Sequence, residues 1–173
     1  MSVLSLSPEM GKNEVFKQVE IFLAESGFWI HSSDPQRPWG GFFVLEEGDI
    51  RKFKDTFFPS VVLTEDQFAQ KLSPKFLLVS PGARLSWQYH FRRSELWTLI
   101  AGTGSISRSL TDDQSAPVSL EIGKVVELAK GERHRLIGNS GWGIVAEIWV
   151  HTDPNHPSDE SDIVRLQDDY SRN

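Results

Sequence analysis

From Lys75 to Val150 the chain is a succession of short runs rich in β-branched and aromatic residues, most of them closed by glycine or proline: "KFLLVSPG", "RLSWQYH", "LWTLIAGTG", "SISRSL", "PVSLEIG", "VVELAKG", "HRLIGNSG" and "WGIVAEIWV". Runs of this length are too short for core helices and fit strands joined by tight turns. So many short strands fold as a sandwich or a barrel, since either arrangement limits exposed sheet edges. No repeat of solenoid period is present. Before this region, "NEVFKQVEIFLAES" places Val15, Phe16, Val19, Phe22 and Leu23 at helical spacing, with Asn13 as N-cap and Gly27 just past the end. "HSSDPQRPWGG" then reads as a turn-rich connection and "TEDQFAQKL" as a short inserted helix, opened by a Thr64 and Gln67 capping box. The expected organisation is a helical arm over residues 1–33 and a β domain over 34–173. Within the polar tail from His151, "DIVRLQDDY" forms a last strand or lies across the surface.

Charge and cysteine content narrow the chemistry. With 18 Lys and Arg against 24 Asp and Glu, the net charge of -6 repels a phosphate backbone, which argues against nucleic acid. The absence of cysteine leaves any metal to nitrogen and oxygen ligands. No signal peptide or membrane-spanning run is apparent, so a soluble cytoplasmic protein with no membrane partner is expected.

One stretch, "SWQYHFRRSELW", concentrates donors. In a strand, Gln88 and His90 share one face with Ser86, while Trp87 and Tyr89 face away. "FRRS" is long enough for a turn that returns Glu95 beside them, and His134, after a glycine turn, offers a fourth donor. The stretch alone also fits a plain strand with hydrogen-bonded Gln88 and His90 and a surface cluster of Arg92, Arg93 and Glu95.

Wider spacing favours the site. Gly82, Gln88, His90, Glu95 and Gly102, followed by Gly123, Gly131 and His134, resemble the two motifs of the cupin superfamily, with glutamine in place of the first histidine. Ala129 replaces the second motif's proline, and Asn139 falls one residue late. The Gln-x-His start, "RPWG" upstream and "DIVRLQDDYSR" at the end resemble the C-terminal cupin domain of type II mannose-6-phosphate isomerases. Lys75, Pro81, Leu85, Ser86, Arg93, Ser94, Trp97, Arg135, Leu136, Asp162, Asp169, Tyr170 and Arg172 fall on that frame, whereas Phe91, Arg92, Leu96 and Ser171 depart from it.

The resemblance implies a mostly β fold: a single cupin barrel (double-stranded β-helix, jelly roll) with an N-terminal helical arm and a short inserted helix. It implies one divalent metal ion held by Gln88, His90, Glu95 and His134, with Zn²⁺ first and Mn²⁺, Fe²⁺, Co²⁺ or Ni²⁺ compatible with the donors. It further implies isomerisation of a sugar phosphate, mannose 6-phosphate to fructose 6-phosphate, for which a base must move a proton between neighbouring carbons. Glu147, alone in the apolar strand "GIVAEIWV", suits that base if burial raises its pKa, and equally suits pairing with a barrel arginine. Arg165 and then Lys75 are the candidates for the substrate phosphate, with Arg84 near. Arg92, Arg93, Arg133 and Arg135 flank ligands and some should face solvent. Arg37 either reaches the substrate mouth or belongs to a turn whose Trp39 packs over one barrel end. His31, His151 and His156 are expected at the surface. Two alternatives stay open: a non-catalytic metal- and sugar-binding cupin, and an isomerase of another phosphorylated sugar. Because cupins often pair through an exposed sheet, and the arm can cover a partner, a homodimer is expected.

Overall fold

The computed structural model describes residues 3–171, and Arg172 lies outside them. Two antiparallel sheets face each other. Across the first, six-stranded sheet run β1 (Ile30–Asp34), β2 (Gly40–Leu45), β3 (Lys75–Val79), β10 (Gly143–His151), β5 (Arg93–Gly102) and β8 (Val125–Leu128). Across the second, five-stranded sheet run β11 (Val164–Gln167), β4 (Trp87–Tyr89), β9 (Arg133–Ile137), β6 (Ser105–Ser109) and β7 (Val118–Ser119). From β3 onward the chain passes repeatedly from one sheet to the other, which is the winding of the expected jelly roll. No helix among the described residues is long and apolar enough to cross a membrane.

The central strands of the first sheet, β3, β10 and β5, are buried on both faces. Lys75, Leu77 and Val79 of β3 point toward the second sheet, where Leu77 and Val79 pack with Trp97, Val145, Ile106 and Leu136. Phe76 and Leu78 point the other way, into a layer of helices. This double burial is why "KFLLV" and "GIVAEIWV" read as nearly continuous apolar runs rather than as alternating ones.

Two helices cover the outer face: α1 (Lys12–Glu25) and α2 (Ile50–Phe57), the latter within a segment in which no helix was expected. α1 buries Val15, Phe16, Val19, Phe22 and Leu23, and α2 buries Ile50, Phe53 and Phe57. Phe22, Phe53 and Phe57 converge on Phe76 with ring centroids 5.2–6.3 Å apart. Each phenylalanine so buried contributes about 2–3 kcal/mol. The expected arm is thus part of the same core, and the boundary near Ser33 falls inside β1, which pairs with β2 through Ser33 and Phe43. The apolar face of α1 is thus spent inside its own chain.

Local signals fare unevenly. Gly11, not Asn13, caps α1, and no side chain bonds its first turn. The capping box at α3 (Glu65–Phe68) forms as expected, with Gln67 N–H donating to Thr64 Oγ1 at 3.1 Å and Thr64 N–H to Gln67 Oε1 at 2.8 Å. "DIVRLQDDY" does supply a last strand, β11, beside β4.

Gly102 ends β5 at φ 73°. A Cβ there would sit 1.9 Å from the Trp142 carbonyl oxygen, a backbone atom that cannot step aside. Gly102→Ala therefore combines a left-handed backbone with a clash, and urea unfolding should show a loss of more than about 1 kcal/mol.

Candidate metal centre and adjoining cavity

Cross-strand pairing decides which side chains meet. On the first sheet Glu147 lies between Lys75 of β3 and Trp97 of β5, and two residues further Trp149 lies opposite Glu95. On the second sheet Gln88 of β4 lies between Arg165 of β11 and His134 of β9. Between the sheets is a cavity of about 140 Å³ whose lining includes Gln88, Glu95, Glu147, Lys75, Arg93 and Arg165.

The "FRRS" turn does not return Glu95 beside His90 within one sheet, as its length suggested. β4 belongs to the second sheet and β5 to the first, so the turn crosses between them. Glu95 therefore approaches His90 and His134 from the facing sheet. One ligand atom from each of the three lies within 4.8 Å of the other two, and all three residues are buried.

The tautomers follow from the hydrogen bonds. His90 Nδ1 is 2.7 Å from the Asp162 carbonyl oxygen, and His134 Nδ1 is 3.0 Å from that of Glu132. A carbonyl only accepts, so each Nδ1 carries a proton, and in the neutral ring each Nε2 turns a lone pair inward. Those Nε2 atoms stand 3.5 Å (His90) and 3.1 Å (His134) from Glu95 Oε1. Glu95 Oε1 and His134 Nε2 have no hydrogen-bond partner despite complete burial. Lone pairs converging in a buried site repel one another unless a proton or a metal cation lies among them. Atoms bound at 2.0–2.2 Å to one ion stand about 2.8–3.6 Å apart in octahedral or tetrahedral shells, a range that includes both spacings here. The three residues thus fit a divalent metal. Gln88 is beside them in the pairing register, with its Oε1 accepting from Ser86 Oγ at 2.6 Å. Burial pushes the Glu95 carboxyl up, but the facing His90 and His134 imidazoles when protonated, together with the Arg93 guanidinium, hold it well below the usual carboxylate range.

Glu147 contrasts with it. Both its oxygens accept from indoles: Oε2 from Trp97 Nε1 at 2.8 Å and Oε1 from Trp149 Nε1 at 3.2 Å. The partner expected was an arginine, but the nearest cation is Lys75, whose Nζ is 4.0 Å from Oε1. Burial, reinforced by the negative charge of Glu95, raises its pKa to about 7 against the opposing pull of Lys75 and Arg93. Two carboxylates in one cavity are thereby driven apart, one ionised and one poised near neutrality.

A segment after β10 holds the histidine side. The buried Asp162 carboxylate accepts from the backbone N–H of Phe91 (2.8 Å) and Arg92 (3.0 Å) and from Ser158 Oγ (2.6 Å), while its own carbonyl fixes His90. Arg93 donates to Glu95 Oε2 at 3.1 Å and to Ser158 Oγ at 2.8 Å, and stacks 3.9 Å over the Trp149 ring. Asp162→Ala would strand two backbone donors and loosen the segment whose main-chain carbonyl, kept in the variant, orients His90. Expected outcomes are a stability loss of about 3 kcal/mol in urea titration and metal affinity reduced about 10- to 100-fold by equilibrium dialysis.

His151, expected at the surface, is buried instead. Its Nδ1 accepts from Ser158 N–H and its Nε2 faces the Lys71 carbonyl. His31 and His156 are exposed, as expected, beside Glu46 and Asp153. Among the arginines, Arg84 pairs with Asp169, and the fully buried Arg135 is bonded to Leu85 and Gln167 carbonyls. Arg133 covers the Tyr89 ring on the outer side, and Arg92 pairs with Asp159. Arg37 lines the cavity with Trp39 and is paired with Asp34. Sequence reasoning missed Arg93, Trp97 and Trp149 as parts of the site. The signal was available: Arg93, Glu95 and Trp97 alternate on one face of β5, and Glu147 and Trp149 on one face of β10.

Comparison with known proteins agrees with this architecture. A family described as mannose-6-phosphate isomerase C-terminal matches residues 27–168. The xanthan biosynthesis protein XanB of Xanthomonas campestris pv. campestris is 29% identical over 141 residues, 79% of this chain and 23% of that protein. A mannose-1-phosphate guanylyltransferase of Salmonella montevideo is 30% identical over 111 residues, 61% of this chain and 21% of that protein. The chain thus spans less than a quarter of the length of these relatives. Among solved structures, vicilin from tomato (Solanum lycopersicum) superposes with TM-score 0.52 at 16% identity, over 82% of this chain and 36% of that one, a likeness of fold alone.

Proposed function

Because the chain belongs to the mannose-6-phosphate isomerase C-terminal family, we propose that it is a metal-dependent aldose-ketose isomerase of a sugar phosphate, with mannose 6-phosphate and fructose 6-phosphate as the pair interconverted. The observation that carries this reading is a single cavity with two carboxylates in opposite states: Glu95 among converging imidazole lone pairs, and Glu147 with a pKa of about 7.

In this reading His90, Glu95 and His134, with Gln88 as fourth donor, hold the ion, and zinc suits the mixed nitrogen and oxygen set. When bound, the metal supplies Lewis acidity toward the sugar's carbonyl and neighbouring hydroxyl. Glu147 takes the proton from one carbon and returns it to the next. A carboxyl with a pKa near 7 exists in both forms at neutral pH, so it can serve in either direction. The Trp97 and Trp149 indoles keep its oxygens aimed, and their rings shield the proton from bulk water. Lys75 and Arg165 supply cations for the phosphate, and Arg37 adds a third on the same lining.

A non-catalytic sugar-binding cupin is the second reading, favoured by the same two indole bonds if they hold Glu147 too firmly to exchange a proton. A coupled assay with metal-loaded protein separates them. Turnover of mannose 6-phosphate in preference to glucose 6-phosphate and ribose 5-phosphate supports the isomerase, and turnover of one of the others alone would move the substrate while keeping the reaction. Saturable binding with no turnover on any sugar phosphate would overturn it.

A further inference from the structure

The ammonium of Lys75 is nearly sealed off, with 8% of its side chain exposed. It rests 4.5 Å from the centre of the Trp149 ring and 4.0 Å from Glu147 Oε1. Its nearest anion is neither of these but Glu160, whose Oε1 accepts from Nζ at 3.2 Å. Glu160 also lines the cavity, yet 76% of its side chain is exposed.

The backbone on either side of Glu160 is fastened. The Asp159 carbonyl accepts from Arg93 Nη1 at 3.0 Å, Ser158 and Asp162 are buried and bonded to each other, and the Asp159 carboxylate accepts from the Ser161 N–H. The Glu160 carboxylate is therefore the part of this segment that can leave the cavity without disturbing the rest. Leaving costs it little, because an exposed carboxylate regains water and gives up only a solvent-screened ion pair. Lys75 has no such freedom, and a buried ammonium that loses its closest anion needs another.

We propose that Glu160 is a built-in competitor for the substrate's anionic group: it occupies the anion position on Lys75 in the free protein, and the phosphate of an incoming sugar phosphate displaces it. The proposal rests on the reading that the cavity takes a sugar phosphate, and it adds the residue that sets the threshold for anion entry. A neutral sugar cannot replace the lost charge, so the exchange selects phosphorylated over free sugar. Because a phosphate monoester carries nearly two charges at neutral pH, it outcompetes a single carboxylate at one ammonium, with Arg37 and Arg165 on the same lining.

The test is titration of the full-length, metal-loaded protein with inorganic phosphate and, separately, with mannose, by calorimetry. Glu160→Gln keeps the shape of an exposed side chain, and an unchanged thermal midpoint verifies the fold. The expected result is phosphate binding at least about threefold tighter than in the unaltered protein, with mannose binding unchanged. The KM for mannose 6-phosphate should fall by the same factor. Phosphate affinity that is unchanged, weaker or absent in Glu160→Gln overturns the proposal, as does an equal change for mannose. Failure of the isomerase reading is recorded separately, since the phosphate titration needs no turnover.

Discussion

Glu147→Gln is expected to lower the turnover of mannose 6-phosphate by a factor on the order of 10²–10⁴, the usual contribution of a positioned general base, while metal content stays the same. In the unaltered protein kcat/KM should rise with pH and level off above an inflection near the pKa of about 7, because only the ionised carboxylate accepts a proton. Stability moves the opposite way. The folded-state pKa of Glu147 is raised from 4.5 to about 7, so the folded protein retains a proton that the unfolded chain has released in that window. This group's contribution is fully present below about pH 4.5 and is lost as pH rises through about 7. Glu147→Gln should flatten that part of the pH-stability curve, measured by urea unfolding from pH 4.5 to 8. An activity profile unaltered by the substitution would remove Glu147 from the chemistry.

Substituting the histidines should have the second large effect. His134→Ala and His90→Ala each delete an imidazole whose lone pair faces Glu95, and metal affinity should fall at least 100-fold by competition with a chelating dye. The loss has a thermodynamic echo. An ion present at 100 times its Kd stabilises the folded state by about 2.7 kcal/mol, so zinc should raise the thermal midpoint of the unaltered protein and leave both variants where they were. Gln88→Ala is expected to weaken binding less, since its oxygen is already engaged by Ser86. If all three variants retain metal fully, the assignment of the centre fails.

The strand texture from Lys75 to Val150 announced the fold because tight turns need glycine or proline and strands need β-branched and aromatic residues, both local requirements. That Gln88 and His90 share a face follows from the pleat, but it was the resemblance to the cupin motifs that grouped them with Glu95 and His134. What could not be read is how sheets are shared out. "FRRS" looks the same whether it closes a hairpin or crosses between sheets, and only long-range pairing of β5 with β10 distinguishes them. Burial of Arg93, Arg135 and His151 was illegible likewise, because each is admitted to the interior by a partner remote in sequence: Ser158, Gln167 and Lys71 respectively. The double role of α1 and α2 was half visible. Helical periodicity marks α1 as amphipathic but does not say that its apolar face meets Phe76 of its own chain rather than a second subunit.

The cavity joins two claims, a metal centre on one side and a proton carrier on the other, and one experiment addresses both. Metal-loaded protein incubated with mannose 6-phosphate and followed by NMR should form fructose 6-phosphate, with conversion abolished by a chelator and by Glu147→Gln. Saturable binding of mannose 6-phosphate to the metal-loaded protein without any fructose 6-phosphate would contradict the account.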